Sequence, residues 1–149
     1  MEAILNALFP ETASNSYQGS KIVPIVFGII TLVSLVRSLI HALKSDGGAK
    51  SIASIPLDRY PKPAADTIVL FVAYWGISQT LMSLVYIVIL WKYRNLLPLA
   101  CFLFTMEWSW RFAIPYFTSK RAPTDRIAPG AIGNVIFPCL GVFLLYLSI

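Results

Sequence analysis

A chain of 149 residues that is 57% hydrophobic and only 13% charged cannot cover a globule in water, where roughly 25% charge is usual. Its net charge of +5 suits anionic lipid headgroups; no nucleic-acid module is recognisable, and nucleic acid is excluded as a partner. The apolar runs are continuous and do not alternate, so the fold class is all-α, a polytopic membrane protein of helices and not a barrel.

The N-terminal segment, 1–21, carries Glu2 and Glu11 and lacks the basic start of a cleavable signal. Within it, residues 3–9 before Pro10 read as a short helix lying on the membrane surface. The first span covers about 22–43 and bears a polar stripe at three- and four-residue steps, Thr31, Ser34, Arg37, Ser38 and His41. A polar connection, 44–64, follows. Its Asp46-Gly47-Gly48 is a turn signature able to stop a helix, and the amides after it could form a weak anion nest. Ile52, Ile55, Pro56 and Leu57 suggest that this loop folds back onto the membrane surface as a structural cap; the alternative is a direct role of Asp46, Asp58 or Arg59 at the pocket mouth.

The second span, about 65–90, repeats the stripe with Trp75, Gln79, Ser83 and Tyr86. The third, about 96–117, holds Glu107 and Arg111 at the i, i+4 spacing that lets side chains meet. The fourth, about 128–149, presents Gly130, Gly133, Asn134, Pro138 and Gly141, a face where another backbone can approach closely. Pro138 also frees the Asn134 carbonyl from its helical bond. Each run meets the length of about 20 residues that a bilayer requires. Short connections then predict one domain over residues 1–149, an antiparallel bundle of four transmembrane helices.

Cations set the orientation. Lys44, Lys50, Arg59, Lys62, Lys120, Arg121 and Arg126 stand on the side of the odd-numbered loops, against Lys21, Lys92 and Arg94 on the side of the termini. That bias places both termini outside the cytoplasm.

Charge within a span is costly and marks a functional candidate. A helix rises 1.5 Å per residue, which puts Arg37 and Arg111 at matched depth, roughly 10 Å below the odd-loop surface. Glu107 and Gln79 lie about one turn deeper, and Asn134 falls at a similar level. Trp75 and His41 flank the layer. The ligand-binding candidates are therefore Arg37, His41, Trp75, Gln79, Glu107, Arg111 and Asn134.

One carboxylate facing two guanidiniums leaves a positive charge that calls for an anion, water or a route to the headgroups. A pocket taking a small anionic or lipid-like ligand fits that imbalance. Two readings compete with it. Glu107 and the arginines could only fix helix packing, or the layer could meet another subunit, making the chain an accessory or structural part of a homo-oligomer or larger complex. A third, a small membrane enzyme on a lipid or quinone with Glu107 as acid or base, is weaker. A carboxylate beside two arginines is held ionised and is a poor proton donor.

Other chemistries are excluded. His41 is the only histidine, so there is no multi-histidine metal or haem site, and no cofactor is called for. Ser78 lies about 15 Å deeper than His41 by helix rise, far beyond the hydrogen-bond reach a hydrolase needs. Cys101 and Cys139 have no redox or metal spacing and read as small polarizable core residues.

The stretch DGGAxSIAxIPLD beginning at Asp46, Trp75-Gly76-Ile77-Ser78-Gln79, Tyr93-Arg94-Asn95-Leu96-Leu97-Pro98 and the Glu107/Arg111 pair together resemble a set of small, functionally uncharacterised bacterial membrane proteins with four helices. The likeness runs from Asp46 to Arg111. It implies a bacterial inner-membrane location and a shared four-helix fold, and carries no activity across.

Overall fold

The structure, a computed structural model, describes residues 2–118 and 123–149. Lys120 and Arg121, two of the cations that set the orientation, lie outside the described residues. The elements are α1 (Glu2–Leu8), α2 (Ile22–Leu43), a 3₁₀ turn (Leu57–Arg59), α3 (Lys62–Lys92), a second 3₁₀ turn (Arg94–Leu96), α4 (Leu97–Phe117) and α5 (Pro129–Ser148). All regular structure among the described residues is helical. α3 starts at Lys62, earlier than the expected 65, because Pro63 occupies its first turn, where a missing N–H breaks no helical bond. The short helix expected near the N-terminus forms as α1.

α2, α3 and α5 are long and apolar enough to cross a membrane. α4 matches them in length with 21 residues but is not among them. Glu107, Arg111 and the Trp-Ser-Trp between them dilute its apolar content. By composition the four expected spans are therefore met in three helices. The outer face of the bundle is apolar, unlike that of a water-soluble one. Ile25, Ile29, Leu32, Phe71, Leu81 and Phe143 are each more than half exposed. Only 22%, 11% and 17% of the apolar windows of α2, α3 and α5 are buried inside the protein. A continuous apolar surface of this kind is a liability in water and a match to lipid, consistent with an integral membrane protein.

The helices associate as two close pairs, α2 with α3 and α4 with α5. Each pair closes on a glycine. A methyl group at Gly76 would sit 2.7 Å from the Ala42 amide nitrogen and 2.8 Å from His41 Cβ. One at Gly141 would sit 2.5 Å from Thr105 Oγ1. The two pairs meet through long side chains. Phe27 of α2 makes edge contacts with Tyr86 of α3 at 5.1 Å and with Phe104 of α4 at 5.9 Å. Phe104 in turn contacts Phe137 of α5 at 5.9 Å, and Trp108 lies 4.5 Å from Phe137. This aromatic ladder is the dry floor on which the charged layer rests.

Both ends of the bundle are tied down. At one end Asn95 accepts a hydrogen bond from the Ser14 amide (2.8 Å) and donates to the Thr12 carbonyl (2.7 Å), while the Ser20 amide donates to the Leu147 carbonyl. At the other end the first loop folds over α2 and α3 as a cap. Gly47 and Gly48 take φ of 57° and 70°, left-handed values that glycine adopts without Cβ strain. Asp46 accepts from the amides of Gly48 (3.0 Å) and Ser51 (2.9 Å). The cap is joined to the third loop by an Arg59–Asp125 ion pair of 2.8 Å and a bond from the Asp125 amide to the Ser54 carbonyl.

Candidate functional site

The charged residues inside the helices form one connected network. Arg37 Nη2 donates to Gln79 Oε1 at 3.2 Å, Gln79 Nε2 donates to Glu107 Oε1 at 2.8 Å, and Arg111 Nη2 donates to the same Glu107 oxygen. Glu107 and Arg111 form the ion pair, their side chains 27% and 20% exposed. Arg37 reaches that carboxylate only through the Gln79 amide, and no salt bridge to Arg37 exists among the described residues. The two-to-one charge imbalance persists in the folded chain.

Two indoles hold the cations. The Arg37 guanidinium lies 5.3 Å from the Trp75 ring and 5.5 Å from the Trp108 ring, and that of Arg111 lies 4.7 Å from each. Cation–π attraction is stronger where water is absent, reaching about 2 kcal/mol per contact. It offsets part of the penalty of holding two like charges so close.

His41 closes the layer beneath the cap. It is 4% exposed, its ring lies 5.0 Å from that of Trp75, and Nδ1 lies 2.7 Å from the Gly47 carbonyl. A carbonyl can only accept, so Nδ1 carries the proton. The first loop is thereby latched to the site through His41.

Six of the seven residues expected at the site thus meet in one network or stack: Arg37, His41, Trp75, Gln79, Glu107 and Arg111. Asn134 stands apart. It makes no hydrogen bond among the described residues and lines, with Arg111, Phe112 and Tyr116, a separate groove of about 220 Å³. Ser78 faces outward and donates to the Tyr74 carbonyl. No cluster of metal-ligating side chains exists among the described residues.

The space beside the network lies between α2 and α5. A groove of about 300 Å³ is walled by Ile29, Ile30, Val33 and Phe137, and Arg37, Ser34 and Trp108 also line it. Gly130 and Gly133 keep its α5 side low. No known protein family, curated protein or solved structure matches the chain. Geometry and chemistry alone carry the functional reading.

Trp108 and Phe137 were not among the expected site residues. A signal for Trp108 existed. It stands at i−3 from Arg111 and shares the buried face of α4 with Cys101, Phe104 and Thr105, whereas Trp110 is 57% exposed. Phe137 carried no comparable signal, since its role depends on how α5 packs across α4.

Proposed function

We propose that this chain is a non-enzymatic integral membrane protein with four spans whose Arg37–Arg111 layer takes the anionic head of a lipid-like amphiphile, the tail lying in the groove between α2 and α5. The observation that carries this reading is the pairing of an apolar groove with Arg37, a cation whose only hydrogen-bond partner among the described residues is a neutral amide. An anion there would complete the charge balance that Glu107 alone leaves open. The apolar walls would remove a hydrocarbon tail from competing contacts at about 0.8 kcal/mol per buried CH₂.

α4 crosses as the fourth span in this reading. Its two charged side chains face the network and not lipid, which is how intramembrane charges are tolerated. The positive-inside bias orients both termini to the outside of a bacterial inner membrane.

A brominated fatty acid tests the site, because bromine quenches an indole only at close range and Trp108 lines the groove. The acid is expected to quench the protein in detergent far more strongly than the matching brominated alcohol, and Trp108→Phe to remove most of that difference. Equal quenching by acid and alcohol would show that no cation reads the head and would overturn the proposal.

A further inference from the structure

The opposite end of the bundle carries a second site, independent of the Arg37 network. A groove of about 630 Å³ lies where the N-terminal segment, the start of α2 and the end of α3 converge, lined by Asn15, Tyr17, Lys21, Ile25, Leu90 and Arg94, with Pro24 and Gly28 between them. Its rim is cationic and its floor apolar. No salt bridge joins Lys21 or Arg94 to a carboxylate among the described residues, whereas Lys44, Lys50, Arg59 and Lys62 at the other end are all paired. Arg94 donates through Nε to the Leu90 carbonyl at 2.9 Å. That bond anchors the guanidinium beside the groove and leaves its terminal nitrogens for a ligand.

Two further observations point to the same occupant. Below the rim the floor is open at Gly28, where the nearest atom to an added methyl would be Leu90 Cδ1 at 3.9 Å, giving a chain-wide furrow against Ile25 and Leu90. Finally, Trp91 and Tyr93 are 68% and 41% exposed on this rim, and exposed aromatics of that kind mark the headgroup level of a bilayer.

We propose that this groove binds one anionic phospholipid, its phosphate held by Lys21 and Arg94, and one acyl chain lying along Ile25, Gly28 and Leu90. Water-filled grooves with unpaired cations serve soluble anions equally well. The apolar floor and the interfacial tryptophan are what commit this one to a lipid.

The full chain in a neutral detergent, titrated with phosphatidylglycerol or phosphatidylcholine and read by native mass spectrometry, tests the assignment. One phosphatidylglycerol is expected to bind roughly thirtyfold more tightly than phosphatidylcholine, the weight of two surface cations. The double variant Lys21→Gln/Arg94→Gln should remove that preference. Gly28→Leu, whose Cβ would meet only Leu90 Cδ1 at 3.9 Å, should narrow the furrow and weaken both lipids while leaving the cations in place. Lys21→Gln/Arg94→Gln and Gly28→Leu should leave the quenching of Trp108 by a brominated fatty acid unchanged, which separates this site from the one proposed above. Equal retention of the two lipids, or a preference that survives the double variant, would overturn the proposal. So would displacement of phosphatidylglycerol by millimolar inorganic phosphate with no effect of Gly28→Leu, since the groove would then be a site for a soluble anion.

Discussion

Glu107 is the residue on which the charged layer depends. Among the described residues it is the only carboxylate paired to Arg111, and it is the acceptor through which Gln79 links Arg37. Removing one partner of a largely buried pair strands the other charge, typically at about 3 kcal/mol or more. Glu107→Ala should therefore destabilise the fold by about 3 kcal/mol in mixed-micelle unfolding, and Glu107→Gln by less, because its amide oxygen still accepts from Gln79. A loss below about 0.5 kcal/mol, the level of an exposed pair, would mean that the network is decorative. Asp46 makes a different prediction. Burial pushes its carboxyl upward, but the Ser51 side chain and amide, the Gly48 amide and the Lys44 cation outweigh this and hold it at about 2. A folded value below the unfolded one, about 3.9, stabilises the cap above that pH, and the stabilisation fades as pH falls toward about 2. Limited proteolysis should accordingly find the first loop protected at neutral pH and opening between about pH 4 and 2. In Asp46→Asn the loop should already be cleavable at neutral pH. Unchanged protection in that variant would contradict the role given to this turn.

At the scale of elements, the pairs α2–α3 and α4–α5 are set by where backbone can approach backbone. Gly76→Val should force α2 and α3 apart, since even the first added carbon falls within 2.8 Å of His41 Cβ. Overpacking of this kind costs about 1–3 kcal/mol and would also disturb the Arg37–Gln79 bond one turn away. Gly130 has nothing within 4 Å of an added methyl, so Gly130→Ala should be neutral or slightly stabilising through helix propensity. Thermal unfolding of the two variants checks the contrast, and equal effects would show that the glycines do not differ. The helices themselves were legible in the sequence because long apolar runs and the turn at Asp46-Gly47-Gly48 leave few alternatives. Depth arithmetic also brought Arg37, Gln79, Glu107 and Arg111 to one layer, because helix rise is fixed and each span has a definite end. Facing was harder to read. Asn134 matches the layer in depth, yet it sits on the far side of Arg111. The part of Trp108 and the groove against Phe137 depend on how the two pairs dock, which no single helix encodes. The polar content of α4 likewise kept it from the composition of a free-standing span, because Glu107 and Arg111 pair with each other and join Gln79 of α3 and, through it, Arg37 of α2.

For the whole molecule, two glycines of the small-residue face of α5, Gly133 and Gly141, pack within the chain, against Trp108 and Thr105. The exterior carries apolar surface and several grooves, among them the one lined by Arg37 and the one rimmed by Lys21 and Arg94. Orientation is testable on its own. A C-terminal alkaline phosphatase fusion should be active in bacterial cells and the corresponding β-galactosidase fusion silent; the reverse pattern would place the termini in the cytoplasm. The most direct test of the central claim is native mass spectrometry of the protein extracted in mild detergent, compared with Arg37→Gln and Arg111→Gln variants shown by circular dichroism to be folded. The account predicts on the wild-type chain a bound anionic amphiphile, other than the phospholipid lost in Lys21→Gln/Arg94→Gln, that disappears from both variants. A wild-type chain carrying no such mass, or variants carrying the same one, would contradict it.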